Sequence, residues 1–161
     1  MNVRLVINGE ERIIAIQVGE TLLEVLRRIG YLGVKHGCED GSCGVCTVIM
    51  DGKAVLSCVM LAAQADGHSL ITIEGLGTRE NLHPLQAAFV EHSAVQCGYC
   101  TPAMILSAKA LLDENPHPTE AEVREALSSV LCRCTGYLKP VEAVLSTALE
   151  RQEAHDVSAL Q

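Results

Sequence analysis

Two unlike spacings of cysteine constrain this chain more than any other feature. Cys38, Cys43, Cys46 and Cys58 form C-x4-C-x2-C-x11-C, and Cys97, Cys100, Cys132 and Cys134 form C-x2-C-x31-C-x-C, which together use all eight cysteines. From Met1 the sequence shows no basic run, no long apolar core and no small-residue cleavage site, so a cytoplasmic location is expected. Thiols stay reduced in that compartment, and eight of them then point to bound metal rather than a disulfide framework. A length of 161 residues suits one ordinary domain, or two small ones that each gain stability from a second source such as a metal site.

Over its first three positions the first spacing matches that of plant-type [2Fe–2S] ferredoxins. Four thiolates can hold the two irons of one such cluster, and a loop wound this tightly needs residues without bulky side chains. Gly37, Gly41, Ser42 and Gly44 supply them. They also let backbone N–H groups approach the sulfurs, where hydrogen bonds raise the reduction potential. In the second set, Cys100 directly precedes Thr101-Pro102, a capping residue followed by a first-turn proline, and Cys132 and Cys134 precede a helix expected to open near Pro140. Thiolates gain from the positive ends of helices, so two helical hairpins meeting end to end at a metal centre fit the pattern.

Three rival readings fit less well. Two four-cysteine zinc sites would account for the count, but the C-x4-C-x2-C loop is poor zinc-ribbon spacing. A thiol–disulfide pair at Cys97 and Cys100 lacks a surrounding βαβ pattern and leaves six cysteines unexplained. A free-standing ferredoxin would need only the first half of the chain.

The hydrophobic period changes midway along the sequence. Val3, Leu5 and Ile7 alternate with polar neighbours, Asn8-Gly9 is a tight-turn dipeptide, and Ile14 and Ile16 continue beyond it, which predicts a hairpin. Thr21 and Glu24 are spaced as a capping box ahead of a helix carrying Leu22, Leu23 and Leu26 and ending near Gly30. A second hairpin is predicted around Asp51-Gly52, with one more strand from Leu70 to Ile73. Beyond Gly77, helix-like stretches cover about 84–93, 102–114, 119–129 and 140–152, the third opened by a capping box at Thr119 and Glu122. From about Glu153 the tail reads as polar and frayed. The expected class is α+β: a sheet grasping a helix over residues 1–76, then a small four-helix bundle over 77–161, with the boundary between Gly75 and Arg79.

Composition removes two classes of partner. Hydrophobic residues make up 48% of the chain and aromatics 2%, with no Trp, so stacking of bases is not expected. A formal net charge of −8 disfavours polyanions such as nucleic acid. No segment approaches the roughly 20 unbroken apolar residues that span a bilayer, so no membrane association is expected.

With those motifs in view, the chain resembles the small [2Fe–2S] iron–sulfur subunit of the xanthine dehydrogenase, aldehyde oxidase and carbon monoxide dehydrogenase family of molybdenum hydroxylases. The motifs are Gly37-Cys-Glu-Asp-Gly-Ser-Cys-Gly-Val-Cys-Thr47, Val95-Gln-Cys-Gly-Tyr-Cys-Thr-Pro102 and Leu131-Cys-Arg-Cys-Thr-Gly-Tyr137. The resemblance runs from residue 3 to about 150. It implies a ferredoxin-like β-grasp domain whose Cys38, Cys43, Cys46 and Cys58 hold the cluster nearer the flavin. It implies a four-helix domain whose Cys97, Cys100, Cys132 and Cys134 hold the cluster nearer the molybdenum cofactor, with Gln96 and Cys134 beside the pterin. The implied function is a relay of single electrons from molybdopterin on a large subunit, through two [2Fe–2S] clusters, to FAD on a medium subunit. The implied assembly is a heterotrimer, or a dimer of heterotrimers. The substrate chemistry lies on the large subunit, and no catalytic residue is expected on this chain.

Two departures from the family pattern fall outside the cysteines. Ala103 stands where Gly is usual, and Ser129-Val130 stand where Gly-Asn is common, which puts local packing near the pterin in question. Of the remaining polar residues, His36 reads as a loop or interface residue, and His68, His83, His92, His117 and His155 as scattered and exposed. Lys35 and Arg133 flank cysteines and could temper cluster charge, although Arg133 suits a solvated role equally well. Asp113, Glu120, Glu122 and Glu125 read as a solvated helix face.

Overall fold

The computed structural model describes residues 1–159. Strands β1 (Asn2–Ile7) and β2 (Glu10–Ala15) pair antiparallel with Leu5 opposite Arg12. Between them Asn8 (φ 53°) and Gly9 (φ 85°) both take the left-handed conformation that a two-residue hairpin turn requires. Helix α1 (Leu22–Arg28) starts with the expected reciprocal cap: Glu24 N–H donates to Thr21 Oγ1 at 3.2 Å, and Thr21 N–H donates to the Glu24 carboxylate at 2.7 Å. Strands β3 (Thr47–Met50) and β4 (Lys53–Leu56) form the second hairpin, and β5 (Ser69–Ile71) inserts between β1 and β3 to give the order β2-β1-β5-β3-β4. β5 runs parallel to β1 and antiparallel to β3.

The alternation read from the sequence decides which face is buried. Val3, Leu5 and Ile7 pack with Leu22, Val25 and Leu26 of α1 and with Val48 and Leu70, so the sheet grasps the helix. Each such fully buried Leu contributes about 1.5–3 kcal/mol by leaving water. On the opposite face Ile49 packs against Leu106 and Ala110 of the helical half.

β5 is shorter than the sequence suggests, because Ile73 belongs to a 3-10 turn (Ile73–Gly75). The side chain of Asn8 ends the ladder there. Its Oδ1 accepts from Thr72 N–H at 2.9 Å and its Nδ2 donates to Thr72 Oγ1 at 3.0 Å. Thr72 is fully buried. Asn8→Ala is therefore expected to destabilise the chain by about 1–3 kcal/mol, since it leaves the Thr72 N–H unpaired in the interior and places Ala at a left-handed position. Urea unfolding of the wild type and variant measures it.

Helices α2 (Pro84–Glu91), α3 (Thr101–Glu114), α4 (Glu120–Ser128) and α5 (Leu138–Ala159) make up the second half. Phe89, Met104, Leu112, Leu127, Val141 and Val144 fill its core. Three details differ from expectation. Cys100, not Thr101, is the cap of α3, with Thr101-Pro102 already inside the first turn. α5 opens at Leu138 and continues to Ala159, past the end placed near 152 and through the tail read as frayed. The stretch Glu150-Arg-Gln-Glu-Ala154 consists of good helix formers with no Gly or Pro to stop it. His83 is no scattered surface residue, because its Nδ1 accepts from Leu85 N–H at 3.2 Å and so caps α2. His68 and His92 are half-buried, His36 and His117 are exposed, and the His155 side chain lies outside the described residues. Within the acidic set, Glu122 closes the capping box of α4, and Glu120 pairs with Arg124.

The two halves are not beads on a linker. Val45, from the first cysteine loop, is buried in the helical core, and Cys43 packs against that core. Of the departures noted above, Ala103 and Val130 are fully buried there, where their methyl groups fill space inside the bundle, and Ser129 is exposed. Among the described residues no helix is long and apolar enough to cross a membrane.

Candidate metal centres

The first cysteine loop leaves α1, passes Cys38, Cys43 and Cys46, and enters β3. Cys58 follows β4, and Ser57 beside it donates its hydroxyl to Cys46 O at 2.7 Å, which fixes the two strand ends together. The sulfurs meet two by two: Cys38 with Cys43, and Cys46 with Cys58. In the second set, Cys97 and Cys100 precede α3 while Cys132 and Cys134 precede α5. There the pairs are Cys100 with Cys132, and Cys97 with Cys134, whose sulfurs are 3.6 Å apart. A zinc site draws four sulfurs around one ion, whereas here the sulfurs meet as two pairs in each quartet. Two pairs per quartet match two irons per cluster, each held by two thiolates.

Backbone donors surround these sulfurs, as the small residues of the loops suggest. Cys38 receives the N–H groups of Cys43 and Asp40, Cys43 that of Val45, and Cys58 that of Gly41. Cys132 Sγ accepts from Thr135 N–H at 3.4 Å and lies 3.1 Å from its hydroxyl. The ionisation balance follows. Hydrogen bonding from Cys43, then from backbone N–H groups, brings Cys38 down to about 7, while burial raises Cys43. Burial and then Cys46 push Cys58 up to about 12. Burial and then Cys132 push Cys100 up to about 12, so desolvation outweighs the helix N-terminus expected to favour its thiolate. Burial also opposes ionisation of Cys132, but the Thr135 hydroxyl and backbone N–H groups together hold it below the usual thiol range. In the Cys38–Cys43 and Cys100–Cys132 pairs one sulfur is thus disposed to be thiolate and its partner to keep a proton. A cation between them takes the place of that proton.

A cavity of about 200 Å³ lies among Cys97, Cys100, Cys132 and Cys134, and its far wall is Gly37, Cys43 and Val45 of the first loop. Gly37 has to lack a side chain here: a Cβ would come within 2.7 Å of Val45 Cγ2 and 3.1 Å of Cys43 Sγ. The donor types and their pairing fit a [2Fe–2S] cluster in each quartet, and in the second this cavity supplies space for it.

The structure also brings Gln96 and Cys134 together, with Gln96 Nε2 donating to Cys134 O at 3.2 Å. Both are exposed, as is Cys97, whereas Cys46 and Cys100 are buried. Arg133 is exposed at the cavity, but the Lys35 ammonium turns away to Leu32 O at 3.0 Å. Two tyrosines that the sequence reading passed over do structural work. Tyr137 accepts from Cys132 N–H at 2.8 Å and donates to Val130 O at 3.1 Å, clamping the last motif. Tyr99 donates to His36 O at 2.6 Å, reaching from the second loop to the first. Their signal was available, since the chain has only three tyrosines and these two stand inside cysteine motifs.

A grasped-helix sheet and a helical bundle, each carrying a paired cysteine quartet, define an iron–sulfur protein with two centres. The "2Fe-2S iron-sulfur cluster binding domain" family matches residues 5–70, and the "[2Fe-2S] binding domain" family matches residues 72–145. The chain is 50% identical over 152 residues to the nicotinate dehydrogenase small FeS subunit of Eubacterium barkeri, covering 94% of this chain and 96% of that one. It is 54% identical over 140 residues to the nicotine 6-hydroxylase small subunit of Paenarthrobacter nicotinovorans, covering 86% and 84%. The crystal structure of quinoline 2-oxidoreductase from Pseudomonas putida 86 superposes with a TM-score of 0.90 at 42% identity, covering 95% of this chain and 96% of that one. This chain belongs to the small [2Fe–2S] subunits of the xanthine dehydrogenase and aldehyde oxidase family of molybdenum hydroxylases.

Proposed function

We propose that the chain relays single electrons from a molybdopterin centre on a large subunit to FAD on a medium subunit. Cys97, Cys100, Cys132 and Cys134 hold the entry cluster, and Cys38, Cys43, Cys46 and Cys58 hold the exit cluster. When bound, the two clusters supply one-electron storage that splits a two-electron oxidation into single steps. The observation that carries this reading is the asymmetric exposure of the second quartet: Cys97 and Cys134 face outward while Cys100 is buried against the first loop. That geometry leaves one side open to a partner's cofactor and turns the other toward the first quartet. Gln96, bonded to the carbonyl of Cys134, presents a side-chain amide at the open edge, and these two residues are the proposed pterin contacts.

The same reading divides the chain into a ferredoxin-type domain over residues 1–76 and a helical domain over 77–161. It places the protein in the cytoplasm within a heterotrimer that can pair into a dimer, with neither nucleic acid nor a membrane as partner. The acidic surface and the small-subunit relatives support it. The test is to purify the tagged chain from its native cell, identify what accompanies it, and record low-temperature EPR after reduction. Two larger chains and two distinct one-electron signals are expected. A single signal, or zinc in place of iron and acid-labile sulfide, overturns the proposal.

A further inference from the structure

We infer that Gly44 is a positioning residue for electron passage between the two centres, its missing side chain letting the first cysteine loop sit directly on the backbone of the second. The inference rests on the relay proposed above. Gly44 is buried at φ +68°, and a Cβ there would lie 1.8 Å from Ser129 O, 2.9 Å from Ser129 C and 3.0 Å from Val130 Cα. All three are backbone atoms, so no rotamer change could make room. With Gly44 so seated, the carbonyl of neighbouring Cys43 accepts from Leu131 N–H at 2.8 Å. Cys43 belongs to one quartet, and Leu131 is bonded to Cys132 of the other. A single hydrogen bond therefore joins the peptide of one cysteine to the peptide that enters another. The Tyr99 hydroxyl on His36 O, at 2.6 Å, ties the same two loops a second time.

These contacts fix how far apart the quartets are and give a bonded route in place of a gap, and tunnelling falls steeply across gaps. The step itself makes and breaks no bond: the centre at Cys97, Cys100, Cys132 and Cys134 loses one electron and is oxidised, and the other centre gains it and is reduced. Gly44→Ala forces the loops apart.

The experiment uses the assembled holoenzyme, with iron content measured alongside EPR of the fully reduced state, where two nearby paramagnets split each other's signals. Gly52→Ala is the control, because Gly52, in the turn between β3 and β4, is also left-handed (φ +84°) yet nothing lies within 4 Å of its added Cβ. It carries the same backbone strain without touching the loop contact. Expected are a narrowed splitting and slower electron arrival at the first centre in Gly44→Ala, a smaller narrowing in Tyr99→Phe, and wild-type splitting in Gly52→Ala. If Gly44→Ala does not load both clusters, Tyr99→Phe decides. The inference is overturned if the splitting is absent in the wild type, if loaded Gly44→Ala matches Gly52→Ala, or if the deciding Tyr99→Phe keeps the wild-type value. Failure of the relay reading would show differently, as the lack of two signals in the unmodified protein.

Discussion

Cys132→Ser is expected to abolish one of the two reduced EPR signals, remove that centre's iron, and leave the other signal present but unsplit. Its sulfur is hydrogen-bonded with that of Cys100 and held by the Thr135 N–H and hydroxyl, while its own N–H is fixed by Tyr137. The other three cysteines at the cavity, Cys97, Cys100 and Cys134, are each ligands in the same reading, so none of them is spare to replace it. A serine oxygen is a harder, less polarisable ligand that iron–sulfur centres accept poorly. Cys46→Ser should give the mirror result, because Cys46 pairs only within the first quartet. The loss also reaches stability. Without a cluster the cavity of about 200 Å³ remains between helix ends, and metal-ligand bonds in small domains are part of the folding free energy. Thermal unfolding of the Cys132→Ser chain should start in the helical half and at lower temperature than that of Cys46→Ser or the wild type. Loss of both signals in either variant would mean that the eight cysteines do not form independent centres.

What the sequence made legible was local. Asn8-Gly9 and Asp51-Gly52 fix their turns through backbone conformations that few residues tolerate, and both pairs are left-handed in the structure. The capping boxes at Thr21 and Thr119 formed as spaced. Spacing divided the cysteines into two sets, and in the structure each sulfur pairs within its own set. What escaped was set by residues distant in the chain. Ile73 left β5 because Asn8, on another strand's turn, captured Thr72. The small residues of the first loop were read as relief for tight winding, yet Gly44 and Gly37 are constrained by what docks on them, Ser129 and the Val45 and Cys43 side chains. No periodicity encodes such an approach. The helix N-terminus at Cys100 was legible, but in the cluster-free chain its pull on the thiol is reversed by burial beside Cys132, which lies far along the sequence.

That last reversal yields a sharp contrast between the cluster-free and cluster-bound chain as pH rises. In the cluster-free fold, Cys100 and Cys58 keep their protons up to about 12, whereas the unfolded chain releases them near the usual 9.0. Above pH 9 the folded state thus binds more protons than the unfolded one, and stability falls as pH rises toward 12. For buried Cys100 the loss amounts to at most about 4 kcal/mol, at about 1.4 kcal/mol for each tenfold change in proton affinity. Cys38 works in the opposite sense at lower pH. Its thiol ionises near 7 in the fold and near 9.0 when unfolded, so stability rises between those values and is lost again as pH falls through 7. With clusters bound, every ligating sulfur is already a thiolate, and the alkaline loss from Cys100 and Cys58 disappears. Melting temperatures measured from pH 7 to 11 should therefore pass through a maximum near pH 9 without clusters and show no such alkaline decline with them. Reconstitution should release protons in proportion to the clusters loaded, a quantity that titration in weak buffer reads directly. A cluster-free chain as stable at pH 11 as at pH 9 would show that Cys58 and Cys100 are not held as thiols by burial, and that the metal has no such penalty to relieve.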